Sequence, residues 1–214
     1  MSRISIADIR KDYILASLSE EVVGDDPFSF FHTWFEEAVS ASIDDVNAMT
    51  LSTLQEDGFP DARIVLLKGL DERGFTFFTN YESEKGVQLS KHSKASLVFH
   101  WKELERQVRV MGIAEQLTAA ENDAYFASRP RASQLGAWAS PQSQKIEKRE
   151  LLEERYAQFE QQFTDVVPRP AHWGGYRIVP IKIEFWHGRS SRMHDRIVFE
   201  KQENESWSRY RVAP

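Results

Sequence analysis

The stretch WHGRSSRMHDR, residues 186–196, gathers three arginines and two histidines into eleven positions of a chain whose formal net charge is −6. If the stretch is extended, side chains alternate between faces, so Arg192, His194 and Arg196 project to one side and Met193 and Asp195 to the other. That side is a row of donors suited to an anion. A second cluster lies in YFASRPRAS, where Tyr125 and Arg129 sit four apart on a predicted helix and Ser133 follows just beyond a proline. Phenol, guanidinium and hydroxyl together suit a phosphate: arginine offers a two-pronged fork and the other two groups reach the remaining oxygens. A solvated helix end with an ordinary terminal arginine is the plain alternative.

RIVLLK places Arg63 and Lys68 at the ends of a four-residue apolar strand core. Their odd separation aims them at opposite faces of a regular strand, so they share a ligand only at a bulge or at strand ends. Two charged side chains flanking a buried strand is the plainer reading. SPQSQKIEK and YESEKG both resemble helix openings, where unpaired backbone N–H groups attract anions. Gln142 and Ser143 stand at the first and Lys85 at the second, although a simple N-cap is the commoner use of such a serine.

Other chemistries are excluded by what is missing. There is no cysteine, so disulfides, thiolate metal sites and cysteine nucleophiles are out, and the six histidines include no HExxH spacing for zinc. No GxSxG elbow and no glycine-rich phosphate loop occurs. A pI near 5.6 with scattered basic residues argues against a nucleic-acid surface. No apolar run approaches membrane-spanning length and MSRISIADIRKDY lacks a signal-peptide core, so a cytoplasmic protein without membrane contact is expected. The separate phosphate-capable clusters exceed the needs of one anion, and two phosphorylated ligands account for them.

The elements that must position these groups follow from periodicity. With 214 residues, 41% of them hydrophobic, the chain can bury one sizeable core. An N-terminal arm over residues 1–20 and one domain over 21–214 are expected. Ser5 can cap IADIRKDYI, and Asp26 with Pro27 opens a helix whose Phe28, Phe31, Phe35 and Val39 share a predicted core face. From residue 48 the pattern turns to short β-branched and aromatic runs: AMTLSTL, ARIVLLKGL, FTFFTN, ASLVFHW and RQVRVMGIAEQL. A short helix is expected in SEKGVQLSKH, and Thr118 with Glu121 forms a capping box for a helix that Pro130 ends. Another helix is placed from near Ser143, striped by Leu152, Tyr156, Phe159 and Phe163. Strands resume in GYRIVPIKIEFW, RIVFEKQ and SWSRYRV, the last two joined as a hairpin across ENE. This is mainly β structure with added helices, an antiparallel barrel closed or partly closed to hide its edges.

RIVLLK, LERQV, YFASRPRASQLGAW, HWGGYR, IEFW, RMHDR and the terminal RVAP, in this order, resemble the pyridoxamine 5′-phosphate oxidase family from about residue 10 to the end. The resemblance implies an FMN-binding split antiparallel β-barrel and a homodimer with FMN at the subunit interface. It implies oxidation of pyridoxamine 5′-phosphate and pyridoxine 5′-phosphate by O2. FMN would meet Arg63, Ile64, Val65, Leu66, Leu67, Lys68, Phe78, Thr79, Lys85, Gln107, Gln142, Ser143, Trp186 and Arg196. The substrate would meet Lys68, Tyr125, Arg129 and Ser133 through its phosphate and Arg192 and His194 near its ring, with Arg10 and Tyr13 closing over it. Arg192 and His194 are the implied catalytic pair, acting by alignment, and no metal is implied. Glu84 departs from the family, which usually has arginine there, and its carboxylate is expected to repel phosphate. Two alternatives remain: a related split-barrel flavin oxidase acting on another substrate, such as a phenazine precursor, and a non-enzymatic binder of flavin or pyridoxal phosphate.

Overall fold

The computed structural model describes residues 12, 13 and 15–214. The predicted Ser5-capped helix and Arg10 lie outside the described residues. The element order is α1 (Glu20–Val23), α2 (Pro27–Ser40), β1 (Ala48–Leu54), β2 (Pro60–Leu66), β3 (Gly69–Asp71), β4 (Gly74–Asn80), α3 (Glu84–Lys91), β5 (Lys94–Trp101) and β6 (Arg106–Gln116). There follow α4 (Ala119–Ser128), α5 (Arg131–Ala139), α6 (Glu150–Gln162), β7 (Trp173–His187), β8 (Asp195–Lys201) and β9 (Trp207–Arg211). The strands run in the hydrogen-bonded order β2-β1-β5-β6-β7-β4-β3, with β8 on β7 and β9 on β8. The expected antiparallel, mainly β fold with inserted helices is therefore observed.

The chain forms two compact units, one from residues up to Ala48 with Leu97–Val110 and Ile181–Pro214, the other from Met49–Ser96 and Met111–Pro180. In the first, Asp26 caps α2 by accepting from the Phe28 and Ser29 N–H groups, and Pro27 takes the first position, where no donor is lost. The buried face of α2 is Phe30, Phe31, Trp34 and Ala38; of the predicted stripe Phe31 is buried, Phe28 and Phe35 are half-buried and Val39 is exposed. The aromatic neighbours select this face: Phe30 packs edge-on to Phe185 at 4.8 Å and Phe31 to Phe99 at 5.0 Å. Each such burial contributes about 1.5–3 kcal/mol.

In the second unit β4 pairs antiparallel with β7, placing Phe78 opposite Gly175, Thr79 opposite Gly174 and Asn80 opposite Trp173. A Cβ on Gly175 would stand 2.9 Å from the Phe78 ring and 2.6 Å from a Leu117 methyl, so glycine is what admits the phenyl ring. The predicted strand ARIVLLKGL is two strands. β2 stops at Leu66, Leu67 is buried, and the Lys68 N–H bonds the Thr76 carbonyl at 2.8 Å as the chain turns into β3.

Three further expectations are corrected. The helix placed from Ser143 begins at Glu150; Ser143 itself has φ 68° and Ile146 is exposed, so the apolar stripe that holds the helix starts only at Leu152. Helix α5, unanticipated, begins directly after Pro130, whose ring leaves Arg129 extended at ψ 149° and separates two helices in quick succession. Residues 186–196 are not one extended run. A helical turn occupies Ser190–Arg192, with φ 55° at Ser191 and 60° at Arg192, and β8 starts at Asp195.

The capping box is present as expected: Thr118 Oγ1 accepts from the Glu121 N–H at 3.2 Å, and Glu121 accepts from the Thr118 N–H at 2.9 Å. Thr118→Ala should therefore cost about 1 kcal/mol in urea unfolding, with Thr118→Ser close to the parent. The Glu121 carboxyl is drawn down to about 2 by the Thr118 N–H and then by Arg177. A carboxyl depressed on folding contributes stability that is complete above the unfolded value near 4.5 and lost as pH falls toward 2. Glu121→Gln should narrow the difference in stability between about pH 6 and about pH 3; an unchanged difference would remove Glu121 from the acid response.

Candidate active site

A cavity of roughly 660 Å³ opens in the second unit. The end of β2 supplies Ile64, Val65 and Leu66, the following turn Lys68, and β4 Phe78 and Thr79. Helix α3 contributes Lys85, α4 and its exit Tyr125 and Arg129, α5 Ser133, and the segment beyond it Gln142. Sequence-predicted residues from seven successive segments thus line one space. The face alternation expected for Arg63 and Lys68 does not arise, because Lys68 lies beyond the end of its strand.

Arg63 is not among the lining residues. Its guanidinium is ion-paired with Asp61 and bonds Thr53 Oγ1 at 2.5 Å, Gln88 Oε1 at 3.1 Å and the Leu51 carbonyl at 3.3 Å. Gln88 also donates to Asp61 at 3.0 Å, and this bond, ahead of Arg63, lowers the Asp61 pKa. Lys85 is held differently. Its ammonium donates to Gln142 Oε1 at 3.1 Å, Thr79 Oγ1 at 3.2 Å and Ser83 Oγ at 3.2 Å, all neutral oxygens. Burial first, and then the Arg63 charge, pushes the Lys85 pKa down.

Around Arg129 the cavity wall is aromatic. Phe78 stacks on Tyr125 at 3.8 Å and on Trp173 at 5.3 Å, with planes within 12° and 9° of parallel. The Arg129 guanidinium carbon stands 4.5 Å from the Trp173 ring centre and 5.5 Å from that of Phe126. Nη1 of Arg129 is buried without a hydrogen-bond partner among the described residues. Burial pushes the pKa of Arg129 down and that of Tyr125 up. Trp173 lines the cavity but was given no role from the sequence, although HWGGYR marks its position. Ser143 and Glu84 do not line it; both face a neighbouring depression with Glu56 and Glu82. Glu84 acts on Lys85 as a favourable charge.

The remaining predicted residues belong to the first unit. Tyr13 meets Trp186 and His194 edge-on, each at 5.7 Å, and Trp186 lies 4.7 Å from His194. The Arg189 N–H donates to His194 Nδ1 at 3.1 Å, which leaves Nε2 to carry the proton of the neutral ring. Arg192 is exposed and makes no ion pair among the described residues. Arg196, opposite Trp186 in the β7–β8 ladder, binds Glu184 through Nε at 2.8 Å and Nη2 at 3.1 Å, and the Ala213 carbonyl through Nη1 at 3.0 Å. Glu184 raises the Arg196 pKa. Gln107 is half-buried on β6. His187 was missed by sequence reasoning; it is buried, its Nε2 has no partner among the described residues, and burial pushes its pKa down.

Residues 35–163 match the family described as "Pyridoxamine 5'-phosphate oxidase", and residues 173–214 match "Pyridoxine 5'-phosphate oxidase C-terminal dimerisation region". The chain belongs to the pyridoxamine 5′-phosphate oxidase family. A pyridoxine/pyridoxamine 5'-phosphate oxidase of Ralstonia pickettii is 56% identical over 210 residues, spanning 98% of this chain and 99% of the relative. One from Synechocystis is 54% identical over 215 residues, the full length of both. Among solved structures, PhzG from Burkholderia lata 383, in complex with tetrahydrophenazine-1-carboxylic acid, superposes with TM-score 0.87 at 29% identity over 94% of this chain and 99% of that one. A pyridoxamine 5'-phosphate oxidase-related, FMN-binding protein from Nostoc punctiforme shares the fold, with TM-score 0.71 at 15% identity over 89% of this chain and all of that one.

The donors fit phosphorylated ligands, the family's cofactor among them. Lys85 is a desolvated cation bonded only to neutral oxygens, and Arg129 carries an orphaned donor, so anions complete both. Until an anion binds, a buried guanidinium without a carboxylate is a cost to stability. Arg129→Met should therefore leave the ligand-free protein as stable as the parent or more so, by about 1 kcal/mol in denaturant midpoint analysis. A loss of similar size would show that Arg129 is structural.

Proposed function

We propose that the cavity is where this oxidase holds the phosphate ends of its ligands, with Lys68, Tyr125, Arg129 and Ser133 on the substrate phosphate and Lys85, Thr79 and Gln142 on that of FMN. The observation that carries this reading is the buried, unpartnered Nη1 of a half-buried Arg129 lining the same cavity as a hydroxyl, a phenol and an exposed lysine. The protein oxidises pyridoxamine 5′-phosphate and pyridoxine 5′-phosphate to pyridoxal 5′-phosphate. When bound, FMN would supply the redox chemistry, a two-electron oxidation at the substrate C4′ carbon with O2 as final acceptor and hydrogen peroxide as its product. The alcohol gives the aldehyde directly, whereas the amine also consumes water and releases ammonia.

What the chain's own residues contribute is binding and alignment. The positive groups fix both phosphates, so each aromatic ring is tethered at one end. Arg192 and His194 orient the substrate ring, His194 donating through Nε2 because its Nδ1 already accepts from the Arg189 N–H. Tyr13, packed against Trp186 and His194, helps exclude water there. Ile64 to Leu67, Phe78, Gln107, Ser143 and Trp186 complete the flavin contacts, with Arg63 steadied by Asp61. Arg196, steadied by Glu184, places positive charge beside the flavin. The working form is a homodimer with FMN at the subunit interface, supported by the match to a dimerisation region. A substrate without a phosphate would leave Arg129 uncompensated, which weighs against a phenazine-type oxidase.

The direct experiment is the absorption spectrum of the purified protein. A flavin spectrum bleached by pyridoxamine 5′-phosphate without oxygen, and restored by air with release of peroxide, is expected. A protein that takes up no FMN, or whose flavin stays oxidised, would end the proposal. Charge-assisted hydrogen bonds contribute about 1.5–3 kcal/mol, so Arg129→Ala should raise KM for pyridoxamine 5′-phosphate by about 10- to 100-fold while FMN content is kept. Parallel loss of flavin would undo the division between the two phosphates. Arg192→Ala should chiefly lower kcat/KM through lost alignment, with FMN retained.

A further inference from the structure

Arginines lining this protein's second unit are mostly held by carboxylates. Arg63 pairs with Asp61, Arg169 with Asp123 at 2.6 Å, and Arg177 with Glu121 at 3.0 Å. Arg129 is the exception: no carboxylate or carbonyl bonds its side chain among the described residues, and its guanidinium lies over the indole of Trp173 at 4.5 Å. We propose that Trp173 is a positioning residue for substrate binding, its ring face steadying the Arg129 cation without using up the N–H donors that the substrate phosphate requires.

The physical reason lies in what each kind of partner consumes. A carboxylate satisfies a guanidinium by accepting its N–H bonds, so an incoming phosphate must displace it and meets its negative charge besides. An aromatic face attracts the cation through the ring quadrupole, perpendicular to the donor plane, and accepts none of those bonds. Tryptophan is the strongest such face. Trp173 is also fixed well enough to serve. It is buried, stacks on Phe78 at 5.3 Å, and receives the Phe126 edge at 5.1 Å. Its N–H bonds the Pro170 carbonyl at 3.0 Å, and its carbonyl accepts from Arg169 at 2.7 Å. Arg129 cannot swing toward a rival anion without leaving a platform that is packed and hydrogen-bonded in place.

This inference rests on the reading that Arg129 meets the substrate phosphate, and the test separates the two. FMN-loaded parent, Trp173→Phe, Trp173→Leu, Arg129→Ala and the Arg129→Ala/Trp173→Leu double variant are compared for KM and kcat with pyridoxamine 5′-phosphate. Binding of pyridoxal 5′-phosphate, FMN content and Tm are measured alongside. Trp173→Leu should raise KM and weaken product binding by about tenfold, with kcat within about twofold, and Trp173→Phe should fall between it and the parent. Phe and Leu both leave a void, so equal Tm values with unequal product binding mark the ring face as the cause. On the Arg129→Ala background, Trp173→Leu should add almost nothing. Equal losses for Phe and Leu, or a further tenfold loss in the double variant, overturn the proposal. If Arg129→Ala impairs binding but Trp173→Leu does not, Trp173 alone is dismissed. An Arg129→Ala protein with unchanged KM brings down the phosphate assignment as well.

Discussion

The β4–β7 register governs the candidate site. Because Phe78 faces Gly175 and Thr79 faces Gly174, the sheet presents a flat place where an aromatic ring can lie, and the next pair sets Asn80 against Trp173. Phe78 then stacks with both Trp173 and Tyr125, and Tyr125 brings with it the end of α4 and Arg129. A slip of one residue along β4 would turn Phe78 and Thr79 to the opposite faces. The same pairing leaves the Thr79 hydroxyl within 3.2 Å of the Lys85 ammonium. One hydrogen-bonded ladder thus places both the aromatic wall and a hydroxyl that holds the Lys85 ammonium.

The protein holds its cations in two distinct ways, and the contrast has a physical meaning. Arg63 and Arg196 are bound to Asp61 and Glu184, which fixes their positions and reduces the net charge they show to a ligand. Arg129 and Lys85 are held by aromatic faces and neutral oxygens, which fix position while leaving the full charge. Both are pushed toward lower pKa mainly by burial, and neither side chain is in an ion pair among the described residues. A site that gathers dianions from water gains from this arrangement, since the ligand supplies the missing charge.

What could be read in the sequence divides along physical lines. The strands from Ala48 to Gln116 were legible because alternation and β-branched content are local properties, and Thr118 with Glu121 spelled out its capping box. Tyr125, Arg129 and Ser133 were legible as phosphate donors by type, although the separate helix bearing Ser133 was not foreseen, since Pro130 was read only as a terminator. Phe28 and Val39 were assigned to the core from spacing alone, but the partners on β5 and β7 decide which face of an aromatic-rich helix turns inward. The strand break at Leu67 and Lys68, and the place of Trp173 in the cavity wall, depend on tertiary neighbours that no local pattern encodes. Part of the residue assignment came from the family resemblance; periodicity could not have separated one phosphate from two.

The segment between β7 and β8 shows why a plausible extended reading failed where the chemistry is densest. Ser191 and Arg192 both adopt positive φ, a region costly for residues with a side chain and kept only where the surroundings enforce it. The enforcement is visible: the Met193 N–H returns to the Ser190 carbonyl at 3.1 Å, and the Arg189 N–H is taken by His194 Nδ1 at 3.1 Å. A strand would have exposed Arg192 and His194 on one face, with each ring nitrogen of His194 open to water. The turn instead spends one imidazole nitrogen on the backbone and so determines which edge of the ring can donate. Trp186 and Tyr13, packed against that ring at 4.7 and 5.7 Å, then limit its rotation. Strain in two residues is in this way coupled to a single tautomer in a single orientation, which is what alignment of a small planar substrate demands.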